Sequence, residues 1–159
     1  MIANSVRFGC MALLAGYGQA VSIAAPWNGQ PLWWLQMLSL AALVLLLDRA
    51  ASAKQAAVLG WLFAASWLCG TVWWLFISMH VYGGLAAPLA ALAVFALCGF
   101  LALYYAAAGY FYKRFRQAAG TNPAWSAIVF AAAWMLAELA RDSWFTGFPW
   151  GAGGVCACG

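Results

Sequence analysis

Five long apolar runs, at roughly 8–25, 31–47, 56–79, 87–112 and 124–141, alternate with short polar or turn-forming segments, and none shows the two-residue alternation of a barrel strand. Each run is long enough for a helix, so the pattern predicts an all-α integral membrane protein with about five transmembrane helices. Residues 55–112, 58 consecutive positions, contain no Asp, Glu, Lys or Arg. One bilayer crossing uses ~20 apolar residues, so this stretch must hold two helices. The break is expected at HVYGGLAAP (80–88), where paired glycines and a proline supply turn chemistry. The first two runs are joined by APWNGQP (25–31), which has two prolines, an Asn-Gly turn signal and no charge, and suits a tight hairpin.

Composition fixes the solvent. With 68% hydrophobic and 6% charged residues and a mean hydropathy of +0.89, the chain belongs in lipid. Arg7, Arg49, Lys54, Lys113, Arg114 and Arg116 fall at the N-terminus or in the second and fourth connections, and only Arg141 opposes them. The positive-inside rule then predicts a cytoplasmic N-terminus and a C-terminal tail on the far side of the membrane. The net charge of +4 points to anionic headgroups at cytoplasmic helix ends and not to nucleic acid. The first run, with one Arg and the small residues Ser22 and Ala24, has some features of a signal peptide, but four further runs favour a retained helix.

Close helix contact is expected at Gly60, Gly70, Gly99 and Gly109, and Trp73-Trp74 and Tyr104-Tyr105 are expected as aromatic anchors at the two membrane surfaces. Cys10, Cys69 and Cys98 lie inside predicted spans, where thiols behave as small hydrophobes. Cys156 and Cys158 lie in a glycine-rich tail, and a lone C-x-C supports an unstructured tail better than a metal or disulfide site. No metal-ligand, Walker, Rossmann or G-x-S-x-G pattern occurs, so no cofactor and no metal is expected. Lys54 and Lys113 would be separated from the tail cysteines by ~30 Å of hydrocarbon, which leaves no catalytic residue set within the chain. The sharpest local feature is ELARDSWFTGFPW (138–150). Glu138 and Arg141 share a helix face, and a lone charge at mid-bilayer costs ~2.5–3.5 kcal/mol on insertion scales, so pairing or an interfacial position is expected of them. His80 is the one imidazole; geometry permits a pair with Glu138, and an interfacial bond to backbone or headgroup is the simpler alternative.

Glu138 and Arg141 followed by Trp144 to Trp150 (WFTGFPW) resemble the segment that ends the fifth membrane helix of apolipoprotein N-acyltransferases, which add the third acyl chain to bacterial lipoproteins. Trp74 to Gly84 resembles that family's W-x-x-x-S-x-x-x-x-G-G stretch, and Phe100 to Tyr104 its Y-L-x-L-Y. Order and spacing agree over roughly residues 8–154. Ala86 stands where the family often has proline, and Asp142 where a small residue is usual.

The resemblance implies the membrane portion of a phospholipid:apolipoprotein N-acyltransferase in a bacterial inner membrane, multi-pass, acting in lipoprotein maturation. It implies two partners besides membrane lipids, a phospholipid acyl donor and a diacylated apolipoprotein. It also implies a lipid and substrate platform formed by Glu138, Arg141, Thr146, Phe148, Pro149, Trp150 and His80. The expected organisation is a transmembrane helical domain over 1–150 and a truncated or aberrant tail over 151–159. In the family a periplasmic nitrilase-like domain with a Glu-Lys-Cys triad follows; it is expected to be missing from this chain, which alone is expected to be inactive. A small transporter or channel subunit with Glu138, Arg141 and His80 along a polar path is the alternative, as is a membrane scaffold.

Overall fold

The computed structural model describes residues 2–23, 29–119 and 122–144. Its elements are α1 (Ile2–Ile23), α2 (Trp33–Arg49), α3 (Ala53–Thr71), a short α4 (Trp74–Ile77) continued by a π-helical turn (Ser78–Tyr82), α5 (Ala87–Ala119) and α6 (Pro123–Ser143), with no strand among the described residues. Helix α3 is central. It packs on α1 at one side and α5 at the other, α2 lies on α1, and α6 lies on α5.

Local chemistry sets the helix starts. The Ser52 hydroxyl accepts the Gln55 amide at 3.2 Å while the Gln55 side chain accepts the Ala51 amide at 2.8 Å, a variant of the reciprocal capping box. At α6, Asn122 caps through Ala124 N–H at 3.0 Å, and Pro123 occupies a first-turn position that needs no donor. The turn after Tyr82 uses Gly84 at φ +66°, a left-handed backbone that side chains disfavour, and α5 begins at Ala87. The expected break at 80–88 is therefore observed.

Two glycines set the approach of α3 to α5. A Cβ on Gly60 would lie 2.6 Å from the Tyr105 carbonyl oxygen, and one on Gly109 would lie 2.7 Å from that of Ala56. Without side chains at these points the α3 and α5 backbones meet directly, and the expectation of close contact there holds. The core filled by this approach is aromatic: Phe63, Trp67, Tyr105 and Trp134 are mutually packed in edge-on, tilted or stacked pairs. Leu14, Trp33, Val58, Leu92 and Leu136 instead point outward, as expected where the solvent is lipid and not water.

Helices α1, α5 and α6 are long and apolar enough to cross a membrane, and α3 joined to the following Trp74–Tyr82 segment would be a fourth span. Helix α2 has 17 residues, at the lower end of spanning length. The third run, expected as one helix over 56–79, is bent by 52°. At the bend the Thr71 hydroxyl bonds back to the Trp67 carbonyl at 2.9 Å, competing with the backbone ladder, and the Val72 amide closes the helix on Leu68. Tyr105 also departs from expectation. It is buried between α3 and α6, because its ring packs on Trp67 and Trp134 and its hydroxyl finds an acidic partner.

Candidate functional site

Trp134, Glu138 and Arg141 follow at spacings of four and three, so α6 presents all three along one face, and that face packs toward α3 and α5. Arg141 Nη2 donates to Glu138 Oε2 at 2.9 Å. The other carboxylate oxygen, Oε1, accepts the Tyr105 hydroxyl at 2.5 Å. The guanidinium stands 5.6 Å from the centroid of Trp67, which is stacked on Trp134 at 5.8 Å and 17°. Arg141 is 1% exposed, and the Glu138 side chain keeps 14% exposure. The pair expected from spacing is thus closed, and the protein interior surrounds its cation.

Asp142 adds a second, weaker contact to Arg141 Nη2 at 3.5 Å, with 38% of its side chain exposed. Arg141 therefore faces two carboxylates with one positive charge. Its Nε and Nη1, and the Trp67 indole Nε1, are buried with no hydrogen-bond partner among the described residues. A guanidinium has five donors in a fixed fork, so the cluster is strongly oriented and only partly saturated. This chemistry holds and orients; it supplies no nucleophile.

Of the other expected site residues, His80 is exposed on the π turn, and its Nδ1 lies 2.8 Å from the Leu85 carbonyl, which can only accept, so Nδ1 carries the proton. The ring also packs on Phe76 at 5.5 Å. His80 bonds within its own turn, and no contact joins it to Glu138 among the described residues. Thr146, Phe148, Pro149 and Trp150, like the tail with Cys156 and Cys158, lie outside the described residues.

Sequence patterns passed over Tyr105, Trp67 and Trp134 as members of this site. Trp134 was within reach, since it lies four residues before Glu138; Trp67 and Tyr105 come from other helices and carry no local signal. A second polar cluster formed around Asp48 was equally silent. Asp48 pairs with Arg116 and accepts the Tyr112 hydroxyl at 2.7 Å, while its backbone carbonyl accepts the Lys113 ammonium at 2.8 Å. Lys113 and Arg116, expected as a lipid anchor, thus fasten α5 to the end of α2. Cys69 and Cys98 lie in the apolar α3–α5 cluster, away from both polar groups. Among the described residues no three His, Cys, Asp or Glu side chains converge to hold a metal ion.

Fold and site together define a helical membrane protein in which a buried arginine and glutamate tie α6 to α5 and α3. Residues 18–157 match the model of the apolipoprotein N-acyltransferase N-terminal domain. The chain belongs to the apolipoprotein N-acyltransferase family. It is 56% identical over 147 residues to an apolipoprotein N-acyltransferase of Verminephrobacter eiseniae, covering 90% of this chain and 27% of that protein. It is 43% identical over 122 residues to one of Ralstonia nicotianae, covering 77% and 23%. A third, from Nitrosomonas europaea, is 35% identical over 144 residues, covering 89% and 28%. The chain spans about a quarter of the length of these curated relatives.

Proposed function

We propose that this chain is the membrane portion of a phospholipid:apolipoprotein N-acyltransferase, which N-acylates the S-diacylglyceryl cysteine at a lipoprotein N-terminus. In this reading it crosses the bacterial inner membrane five times with its N-terminus cytoplasmic. Residues 1–150 form the membrane domain. The phospholipid donor and the diacylated apolipoprotein meet at the periplasmic end of α6, around Glu138, Arg141, Thr146, Phe148, Pro149 and Trp150, with His80 on the same side.

One observation carries the reading: in a chain of this family, the α6 residues that precede WFTGFPW are locked by Glu138, Arg141 and Tyr105 onto α5 and α3. A buried charged pair resists displacement, because separating its members strands a charge. The lock fixes the direction in which the chain leaves α6, which is what a platform for a reacting domain requires. The described residues bring no nucleophile to a base, since Lys113 is engaged by Asp48 and the α3–α5 thiols are enclosed by apolar side chains. The platform positions; the acyl-transferring group comes from sequence beyond it.

The test uses phospholipid and a diacylated lipopeptide, with the triacylated product read by mass spectrometry. Residues 1–159 alone should give no product, and the same residues joined to the remainder of the Verminephrobacter eiseniae relative should give it. Product from the 159-residue chain, lost on changing Cys156 or Cys158, would overturn the platform reading. So would a folded, membrane-inserted chimaera that stays inactive.

A further inference from the structure

Helices α1 and α2 enclose an elongated groove of about 430 Å³ on the outside of the bundle, away from the Arg141 cluster. Its walls are Met11 and Leu14 on α1 and Leu38 and Leu45 on α2, each at least half exposed, and its floor is made by small residues including Gly18 and Ala42. The one hydroxyl on the floor, Ser39, is already committed to the Ala15 carbonyl, so the groove offers a ligand hydrocarbon along its length.

The two ends of the groove differ. On α2 the lining stripe runs from Leu35 to Arg49, which itself lines the groove. On α1, Met11, Leu14 and Gly18 continue at helical spacing to Arg7, one turn before Met11 on the same face. Since the Leu32 amide bonds to the Ser22 carbonyl at 2.8 Å and Ser39 to that of Ala15, the helices are antiparallel, and Arg7 comes level with the last turn of α2. Both arginines are exposed, and neither has an ion-pair partner among the described residues. The carboxylate next to Arg49, Asp48, is already engaged by Arg116 and Tyr112.

We propose that this groove binds one anionic phospholipid of the leaflet that meets Arg7 and Arg49, with the phosphate between the two guanidiniums and an acyl chain along the α1–α2 groove. Length agrees: Leu35 to Arg49 spans ~21 Å at 1.5 Å per residue, and one leaflet's share of the hydrocarbon core is ~15 Å. Charge decides between occupants. An apolar helix from another segment or a second copy would fill the walls and leave two cations unmatched, whereas an anionic lipid matches both features with one molecule. The site is independent of acyl transfer, because Arg7 and Arg49 lie at the Asp48 end of the bundle. Phe130, which packs on Tyr112 at that end, is 11 residues before Arg141, or ~16 Å along α6.

The experiment is native mass spectrometry of the delipidated 159-residue chain, titrated with phosphatidylglycerol, with phosphatidylcholine of identical acyl chains, and with glycerol 3-phosphate. Phosphatidylglycerol should be retained over phosphatidylcholine by about fivefold per arginine, hence about thirtyfold for the two, and glycerol 3-phosphate should not be retained. The double change Arg7→Ala and Arg49→Ala should abolish the preference, and Arg7→Lys with Arg49→Lys should keep most of it. Ala42→Phe, which fills the floor and leaves both charges in place, should lower retention of both lipids. If the alanine pair fails to fold, the lysine pair and Ala42→Phe still decide the matter. Equal retention of the two lipids, unchanged preference in the alanine pair, unchanged retention in Ala42→Phe, equal binding of glycerol 3-phosphate, or a lipid-free dimer each overturns the proposal.

Discussion

Replacing Arg141 by Met removes the guanidinium but keeps most of the volume that packs on Trp67, which isolates the electrostatic part of the site. Glu138 is then left against aromatic rings with the Tyr105 hydroxyl as its one remaining partner in the cluster. Removing one member of a buried pair costs ~3–5 kcal/mol, against ~0–1 kcal/mol for an exposed one. The residual 14% exposure of the Glu138 side chain gives water some access, which places the loss at the lower end, about 3 kcal/mol. For a chain of this length ~2–4 °C accompanies each kcal/mol, so the melting temperature should fall by roughly 6–12 °C. The double change Glu138→Gln with Arg141→Met removes the stranded charge and keeps an acceptor for Tyr105, and should recover most of that loss. Tryptophan fluorescence during heating in detergent is a direct reporter, since Trp67 and Trp134 adjoin the pair. A single variant as stable as the unaltered chain, or a double variant less stable than the single, would refute the claim that Glu138 and Arg141 form a buried, mutually dependent pair.

Gly60→Ala and Gly109→Ala should each destabilise by about 1–3 kcal/mol, because the new methyl meets a carbonyl oxygen of the facing helix at 2.6 or 2.7 Å. Gly18→Ala, whose methyl meets Ser39 Oγ at an ordinary 3.9 Å, is the control, and equal melting temperatures for all three would contradict the α3–α5 packing. Asp48→Ala should lower stability by ~1–3 kcal/mol through the stranded hydroxyl of buried Tyr112. An additional Tyr112→Phe change should restore part of it; no restoration would place the loss elsewhere. For the proposed orientation, single cysteines at Ala51 and Ala86 in a cysteine-free background should differ toward an impermeant thiol reagent in intact cells. Ala86 should react and Ala51 should not, and the reverse pattern would invert the topology.

The family resemblance was legible in local sequence, through ELARDSWFTGFPW and two supporting stretches, and so was the pairing of Glu138 with Arg141, because i,i+3 neighbours on a helix must adjoin. The helical class, the turn at 80–88 and the tight approach at Gly60 and Gly109 were legible for the same reason: apolar run length, turn chemistry and the missing side chain act within a few residues of the chain. What surrounds the pair was not. Tyr105 belonged by its sequence to a membrane-surface doublet, yet the approach permitted by Gly60 draws it inward, where its hydroxyl meets Glu138. Trp67 supplies the face on which Arg141 rests, and Asp48 gathers Tyr112, Lys113 and Arg116 from more than sixty residues away. Sequence by itself determined which segments are helical and which α6 residues share a face, since both follow from periodicity and local sterics. Only the tertiary structure decided which helices meet and which partners each charge finds, because those depend on packing between surfaces that no single segment contains.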